Sequence, residues 1–164
     1  MDKAVFFDRD GVINSDDGHY YIYQKQDFKF NPGIIEGMKL LSDAGFRLVI
    51  ISNQGGISKG IYKKQDTDLV HQYMISELAK HTIFVDEIYY CPHHSDLEKC
   101  FCRKPASLMI EKAMARFSIN KAQSFLIGDS KRDIEAGENV GLTCFLVNKN
   151  ESILNLCRKI SKMQ

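Results

Sequence analysis

Tryptophan is absent from this 164-residue sequence, proline occurs only three times, and no hydrophobic run approaches the roughly 20 residues that span a membrane. The charges are nearly balanced, with 22 basic and 21 acidic residues and a formal net charge of +1. Because positive charge is not in excess, the chain has no global attraction for nucleic acid or anionic membranes. It also lacks tryptophan as a stacking platform for bases. We therefore expect neither nucleic acid nor a membrane as a partner.

Two further absences concern the cellular compartment. The N-terminal segment carries charged residues and has no small-residue cleavage site, so we interpret it as mature sequence and predict a cytoplasmic location. The five cysteines are an odd number, which argues against a disulfide framework in such a chain. Cys144 and Cys157 stand alone in apolar segments, and we expect them to be small buried hydrophobic residues.

The sequence does contain an alternation of short apolar runs with segments of helical period. The expected strands cover residues 4–7, 48–51, 88–90, 124–127 and 144–147. Apolar residues at helical spacing indicate a helix with Asn31 as its N-cap, Pro32 as its first residue and Gly45 at its end. Further helices are expected around 70–74, 110–117, 133–140 and 153–160.

The strands are apolar on both faces, which is typical of a parallel sheet covered by helices on each side. The alternation predicts an α/β fold with a doubly wound, mainly parallel sheet. No internal repeat, low-complexity tract or linker divides residues 1–164, so we expect a single domain. The aromatic stretch within residues 15–30 could form a small flap or hairpin, but no connection is long enough for a cap domain.

The first apolar run ends in two acids, Asp8 and Asp10, one residue apart. Residues two apart on a strand point the same way, so the two carboxylates would converge and repel each other. A divalent cation such as Mg²⁺, which prefers oxygen ligands, would make the pair tolerable, and such a pair also suits acid–base catalysis. For this stretch alone, an ordinary surface turn is the alternative, because Asp and Gly are common turn residues.

Polar groups also follow the other expected strands. SNQGG (52–56) follows the second strand and GDSKRD (128–133) follows the fourth. An Arg-Lys pair at 103–104 begins the helical segment after the third strand. In doubly wound sheets, ligands bind outside the carboxyl ends of the strands. Acids for a cation, donors for an oxyanion and fixed positive charges at one sheet edge are the groups that phosphoryl transfer requires.

In this order, FFDRDGVIN (6–14), SNQ (52–54), RKP (103–105) and GDSKRD (128–133) resemble the four motifs of the haloacid dehalogenase (HAD) superfamily of aspartyl phosphatases. The resemblance runs along the whole chain and implies a HAD-like Rossmann-type fold. It gives Asp133 three alternative roles: orienting the lysine of RKP, orienting the water shell of the metal, or serving the helix N-terminus.

The resemblance also implies catalytic roles. Asp8 would be the nucleophile and would stay ionised, while Asp10 would protonate the leaving alkoxide and later deprotonate water. Asp8, the backbone carbonyl of Asp10 and Asp129 would hold Mg²⁺. Ser52 and Lys104 would hydrogen-bond and neutralise the transferring phosphoryl group.

A cluster of cysteine and histidine lies just before the Arg-Lys pair. Cys91, His93, Cys100 and Cys102 form two short pairs, whose donors suit a closed, structural Zn²⁺ site. Reduced cysteines on an exposed loop are the alternative. His94 could compete as the imidazole ligand, but His93 follows the pattern of the family. A zinc-binding loop would position the two cations that follow it.

The same segment resembles the capless branch of the superfamily that contains heptose 1,7-bisphosphate 7-phosphatases and histidinol-phosphate phosphatases. Residues 52–62 and 16–34 resemble the heptose enzymes more closely. On that resemblance Lys104 would serve the reacting phosphate and Arg103 the distal one. The implied sugar contacts are Asp16, Asp17, Gly18, His19, Ser52, Asn53, Gln54 and Gly55.

The expected function is therefore Mg²⁺-dependent hydrolysis of the C7 phosphate of a heptose 1,7-bisphosphate, in the synthesis of nucleotide-activated heptose. Histidinol-phosphate phosphatase, or another small sugar-phosphate phosphatase, is the nearest alternative. A polynucleotide 3′-phosphatase conflicts with the balanced charge, and a non-catalytic zinc-containing interaction module conflicts with the intact motifs. Because no heptad pattern is present, we expect a monomer.

Overall fold

The computed structural model describes residues 1–163 and contains a five-stranded parallel sheet. The strands of this sheet are β1 (Ala4–Phe7), β4 (Arg47–Asn53), β5 (Glu87–Cys91), β6 (Phe125–Gly128) and β7 (Thr143–Leu146). Their order is β5-β4-β1-β6-β7, which places the first strand at the centre. The helices are α1 (Ile34–Asp43), α2 (Lys64–Ala79), α3 (Leu108–Phe117), α4 (Lys131–Glu138) and α5 (Leu154–Ile160).

The two faces of the sheet carry two separate hydrophobic cores. Val5 and Phe7 point toward a core shared with α1, α2 and α5, whereas Ala4 and Phe6 point toward a core shared with α3 and α4. This alternation is the period-2 consequence of strand geometry, and it requires β1 to be apolar at every position. The predicted doubly wound α/β fold is confirmed.

A short antiparallel ribbon forms where a small flap or hairpin was expected. Strand β2 (Asn14–Ser15) pairs with β3 (Lys29–Phe30), and between them a 3₁₀ turn spans Lys25–Asp27. Within residues 1–163, the connection from β1 to α1 holds only this ribbon and turn, so the expectation of no cap domain is confirmed. None of the described helices combines the length and apolar character needed to cross a bilayer.

The predicted start of the first helix was wrong. Asn31 does not cap it, because the Asn31 amide donates instead to the carbonyl oxygens of Gly11 and Val12, at 3.1 and 3.0 Å. The N-cap is Gly33, whose φ of 71° lies in the left-handed region that glycine adopts without strain. Asn31 thus joins the helix entry to the loop that follows β1.

The other predicted elements are present with shifted bounds. Strand β6 begins one residue later than expected, because the backbone N–H of Ser124 donates to the carbonyl oxygen of Lys121 and closes a 3₁₀ turn there. Helix α4 begins at Lys131 rather than at residue 133, since Ser130 and Asp133 form a capping box. Cys157 is buried as predicted, whereas Cys144 is only half-buried.

Candidate active site

The carboxyl ends of the central strands surround an open pocket of about 400 Å³. The residues predicted from sequence that line it are Asp8, Asp10, Asp16, His19, Asn53, Gly55, Arg103, Lys104 and Asp129. Ser52 and Gln54 are buried behind this lining. Asp17 lines a separate, smaller hollow, and Gly18 lines neither, so the structure does not bring these two into the pocket.

Asp8 directly follows β1 and contacts Lys104, the side chain predicted to bind the reacting phosphate. The Lys104 ammonium donates to Asp8 Oδ1 at 2.8 Å, and the backbone N–H of Arg9 donates to the same oxygen at 2.8 Å. Burial raises the pKa of Asp8 well above its usual value, and the charges of Asp133 and Asp129 add to this rise despite the attraction of Lys104.

Asp10 is surrounded by hydrogen-bond donors. Its carboxylate accepts from Arg9 Nη2 at 2.8 Å, from Asn14 Nδ2 at 3.0 Å and from Gln54 Nε2 at 2.9 Å. Burial favours the protonated acid, but the Arg9 charge and these hydrogen bonds outweigh it, so the pKa of Asp10 is lowered. From the sequence, Asp8 was expected to stay ionised and Asp10 to carry the proton. The pKa of Asp8 is raised and that of Asp10 is lowered, which is the opposite of that expectation.

Lys104 is 2% exposed and is held by three acceptors. Besides Asp8, its Nζ contacts Asp133 at 2.6 Å and the carbonyl oxygen of Ile51 at 3.0 Å. Burial alone would lower the pKa of Lys104, but the two carboxylates raise it. Asp133 also accepts from the Ser130 hydroxyl at 2.7 Å, so it both orients the lysine and caps α4.

Three carboxylates form a group that could hold a cation. Oxygens of Asp8, Asp129 and Asp133 lie within 4.8 Å of one another. Burial and the neighbouring Asp133 charge raise the pKa of Asp129, so the site carries negative charge that a divalent cation would neutralise. Gly11 leaves room for this group, since its φ is 85° and a Cβ atom there would lie 2.2 Å from Asp129 Oδ2.

Among residues 1–163, this group contains Asp133 and not the Asp10 side chain. The structure thus groups the Asp8 carboxylate with Asp129 and Asp133, and the convergence of the Asp8 and Asp10 carboxylates on one cation stays a prediction from their spacing. Strand β1 ends at Phe7, and Arg9 and Gly11 lie in turns, so the rule for residues two apart on a strand does not hold here. The Asp10 carboxylate is bound by Arg9, Asn14 and Gln54 instead.

The last residues of β4 and the residue that follows them support Lys104 from the other side. Asn53 Oδ1 accepts from the backbone N–H of Lys104 at 3.0 Å, and Asn53 Nδ2 donates to the Lys104 carbonyl at 3.1 Å. Ser52 Oγ accepts from Gln54 Nε2 at 2.8 Å, and Gln54 Oε1 accepts from the Tyr62 hydroxyl at 2.6 Å. Because Ser52 Oγ accepts this bond, its own hydrogen stays available for a phosphoryl oxygen.

The cysteine–histidine cluster comes together as four donors. Cys91 Sγ lies 3.0 Å from Cys102 Sγ and 3.6 Å from Cys100 Sγ, and His93 Nδ1 lies 3.2 Å from Cys102 Sγ. All four donors fall within 4.8 Å of one another, which is compatible with a tetrahedral zinc site. His94 lies apart from the cluster and lines the pocket.

Several pocket residues were missed by sequence reasoning. Lys149 Nζ pairs with Asp16 at 2.5 Å, and Arg132, Tyr20 and Tyr21 also line the pocket. Lys149 could have been found, because it follows β7 at the same sheet edge as the other charged groups. The contact between Asp16 and Lys149 joins two distant loops and has no signature in the sequence.

Comparisons with known proteins agree with this geometry. A HAD-hydrolase-like family model matches residues 101–157. A D-glycero-alpha-D-manno-heptose-1,7-bisphosphate 7-phosphatase of Campylobacter jejuni is 40% identical over 163 residues, covering 99% of this chain and 92% of its own. A D-glycero-beta-D-manno-heptose-1,7-bisphosphate 7-phosphatase of Helicobacter pylori is 44% identical over 138 residues, covering 84% and 78%.

A solved structure shows the same architecture. The D,D-heptose 1,7-bisphosphate phosphatase of B. bronchiseptica, crystallised with magnesium and phosphate, superposes with a TM-score of 0.84 at 28% identity. The match covers 99% of this chain and 88% of that chain.

Proposed function

Because this chain belongs to the heptose-1,7-bisphosphate 7-phosphatase family of HAD-like hydrolases, we propose that it hydrolyses the C7 phosphate of D-glycero-D-manno-heptose 1,7-bisphosphate through an aspartyl phosphate on Asp8. The observation that carries the proposal is the Asp8 carboxylate at the pocket, 2.8 Å from a buried lysine and grouped with Asp129. Carboxylate nucleophile, fixed cation and cation-binding acids are the groups that this reaction needs.

In the first step, an Asp8 oxygen attacks phosphorus and the bond between phosphorus and the C7 oxygen breaks. Asp10 gives its proton to that departing oxygen, so the product leaves as an alcohol. In the second step, Asp10 takes a proton from water, the water oxygen attacks phosphorus, and Asp8 is released as a carboxylate. The negative charge of an arriving phosphate would raise the pKa of Asp10, which lets it carry the proton in the first step.

The charge of the reacting phosphoryl group is matched by two groups of the chain. Asp133 holds the Lys104 ammonium, and the Asn53 side chain accepts from the Lys104 backbone N–H and donates to its carbonyl oxygen, so the ammonium is already ordered before the reaction. The Ser52 hydroxyl supplies a hydrogen-bond donor. Asp8, Asp129 and the backbone carbonyl of Asp10 would hold Mg²⁺, which when bound reduces the repulsion between the carboxylate and the phosphate.

The bisphosphate substrate matches the additional positive charge of the pocket. Arg103, Arg132 and Lys149 line the pocket together with Lys104, which leaves cations for a second phosphate. Sugar hydroxyls would contact Asp16, His19, Asn53 and Gly55. Asp17 and Gly18 lie outside the pocket lining, and we leave them out of the proposed contacts.

The test is a comparison of kcat/KM on both anomers of the heptose bisphosphate and on histidinol phosphate, each with and without Mg²⁺. We expect Mg²⁺-dependent activity and a preference for a bisphosphate. A clear preference for histidinol phosphate would contradict the proposal. We also propose a cytoplasmic monomer, and light scattering of the purified protein would measure its mass.

Arg103 gives a prediction about the second phosphate. The guanidinium is held by a 2.9 Å bond to the carbonyl oxygen of His93 and lines the pocket. Arg103→Met should raise KM for the bisphosphate about tenfold to a hundredfold, because a charge-assisted hydrogen bond to the distal phosphate is lost. On a monophosphate sugar, KM should change by less than about twofold. Equal losses on both substrates would contradict the assignment.

The cysteine–histidine cluster gives a prediction about zinc. Cys91, His93, Cys100 and Cys102 would hold about one Zn²⁺ per chain, measured by elemental analysis of the purified protein. Cys102→Ser should lower the zinc content and the activity together, because Arg103 and Lys104 directly follow this ligand. Cys144→Ser is the matched control, since Cys144 lies outside the cluster. Full activity in zinc-free protein would refute the positioning role of the metal.

A further inference from the structure

Arg9 stands between the two catalytic acids in sequence and is completely buried, with an exposed fraction of 0%. Its Nη2 donates to both oxygens of Asp10, at 2.8 and 3.0 Å, and its Nε donates to Oδ1 at 3.1 Å. Nη2 also donates to the carbonyl oxygen of Ile22 at 2.6 Å. The guanidinium therefore joins the Asp10 carboxylate to the body of the protein.

The remaining contact of this guanidinium is His71, on helix α2. Arg9 Nη1 lies 3.1 Å from His71 Nε2, and the imidazole is buried. A guanidinium has donors but no acceptor, so Nε2 must accept and the ring proton must be on Nδ1. Burial and the charge of Arg9 lower the pKa of His71 to about 3, so the ring stays neutral at physiological pH.

The position of the imidazole is itself fixed. Its ring packs edge-on against Tyr90, with ring centroids 5.4 Å apart. The Tyr90 hydroxyl donates to Asp68 Oδ1 at 2.8 Å, and Asp68 lies on the same helix about one turn before His71. A chain of contacts thus runs from α2 and β5 through His71 and Arg9 to the Asp10 carboxylate.

Asp10 binds the guanidinium along one edge and the Ile22 carbonyl oxygen binds Nη2 of that same edge, so a contact at Nη1 limits the remaining tilt of the plane and of the carboxylate it holds. His71 binds Nη1, whereas Asp10 is bound through Nε and Nη2. The histidine therefore fixes the orientation of the plane from the opposite corner. A proton donor has to reach the leaving oxygen within hydrogen-bond distance, so this orientation bears directly on the chemical step.

We propose that His71 is a positioning residue for the phosphatase reaction, acting through the guanidinium of Arg9 to aim the carboxylate of Asp10 at the leaving oxygen. This inference rests on the proposed function, in which Asp10 is the proton donor. His71 itself touches no substrate atom.

The decisive comparison uses two substitutions at position 71. His71→Leu removes the acceptor, and we expect kcat on the sugar bisphosphate to fall about tenfold to a hundredfold with KM changed by less than about twofold. His71→Gln keeps an acceptor near the place of Nε2, and kcat should recover to within about threefold of the wild type. On para-nitrophenyl phosphate, whose leaving group needs no proton, the first release of nitrophenol by His71→Leu should slow by less than about threefold.

Val70→Ala is the matched control, because Val70 is buried on the same helix. It should lower the melting temperature without changing kcat of the folded protein. A second readout does not depend on activity: nitrogen NMR of the wild type should show His71 with an unprotonated Nε2 and a protonated Nδ1.

The outcomes separate this inference from the proposed function. A wild-type protein that does not hydrolyse the heptose bisphosphate contradicts the proposed function, whatever the activity of the His71 variants. If the wild type is active and His71→Leu keeps its kcat, or slows the first release of both leaving groups by the same factor, the positioning role is refuted. Protonation of Nε2 in the NMR spectrum would refute it as well.

Discussion

Asp8→Asn should abolish turnover, with kcat reduced by about 10⁴-fold or more, because the amide cannot attack phosphorus to form the covalent intermediate. The fold should tolerate the change. Burial and the charges of Asp133 and Asp129 already raise the pKa of Asp8, so removing its charge relieves repulsion. Lys104 keeps a carboxylate partner in Asp133, at 2.6 Å.

The measurement combines steady-state kinetics with acid quenching of the enzyme during turnover of phosphate-labelled substrate. The wild type should retain label on the protein, and Asp8→Asn should retain none. Its melting temperature and zinc content should match those of the wild type. Asp43→Asn, which neutralises an exposed acid on α1, is the control for a nonspecific charge effect. Surviving activity or surviving label in Asp8→Asn would show that Asp8 is not the nucleophile.

The position of this site could be predicted from the sequence. In a doubly wound sheet the polar residues after each strand must meet at one edge, whatever the details of the helices. Asp8 and Asp129 directly follow β1 and β6, Asn53 is the last residue of the adjacent β4, and all three line one pocket. The strands themselves were recognisable because both faces are buried and apolar.

The hydrogen-bond partners of these residues could not be predicted from the sequence, because they depend on contacts between distant segments. The carboxylate of Asp10 is bound by Gln54, which Tyr62 in turn positions, and by the neighbouring Arg9. The lowered pKa of Asp10 follows from this arrangement and not from the motif. Asn31 is a second example: its local sequence is typical of a helix cap, but its amide bonds to carbonyls 19 and 20 residues away.

The side chains of the loop from residue 15 to residue 30 that face the pocket could not be predicted from the sequence. The loop has no apolar period, so nothing in it fixes which side chains face the pocket. Resemblance alone assigned Asp16, Asp17, Gly18 and His19 to the substrate. The structure places only the first and last of these four on the pocket lining, since the ribbon β2–β3 sets the path of the loop.

Asp10→Asn should reduce kcat on the sugar bisphosphate by about 10²- to 10⁴-fold, because the proton for the leaving alkoxide is lost. Unlike the change at Asp8, it should also destabilise the protein, by about 3 kcal/mol, since Arg9 is fully buried and loses its charged partner. Partial unfolding must therefore be separated from lost chemistry.

The leaving group provides that separation within one variant. Loss of folded protein lowers the rate equally for every substrate, whereas loss of a proton donor affects only leaving groups that need a proton. With para-nitrophenyl phosphate, acid quenching should show the aspartyl phosphate accumulating in Asp10→Asn, because the first step proceeds and the water attack that needs a base does not. Equal losses on the two substrates, with no accumulated intermediate, would assign Asp10 to holding Arg9 in the fold and not to proton transfer.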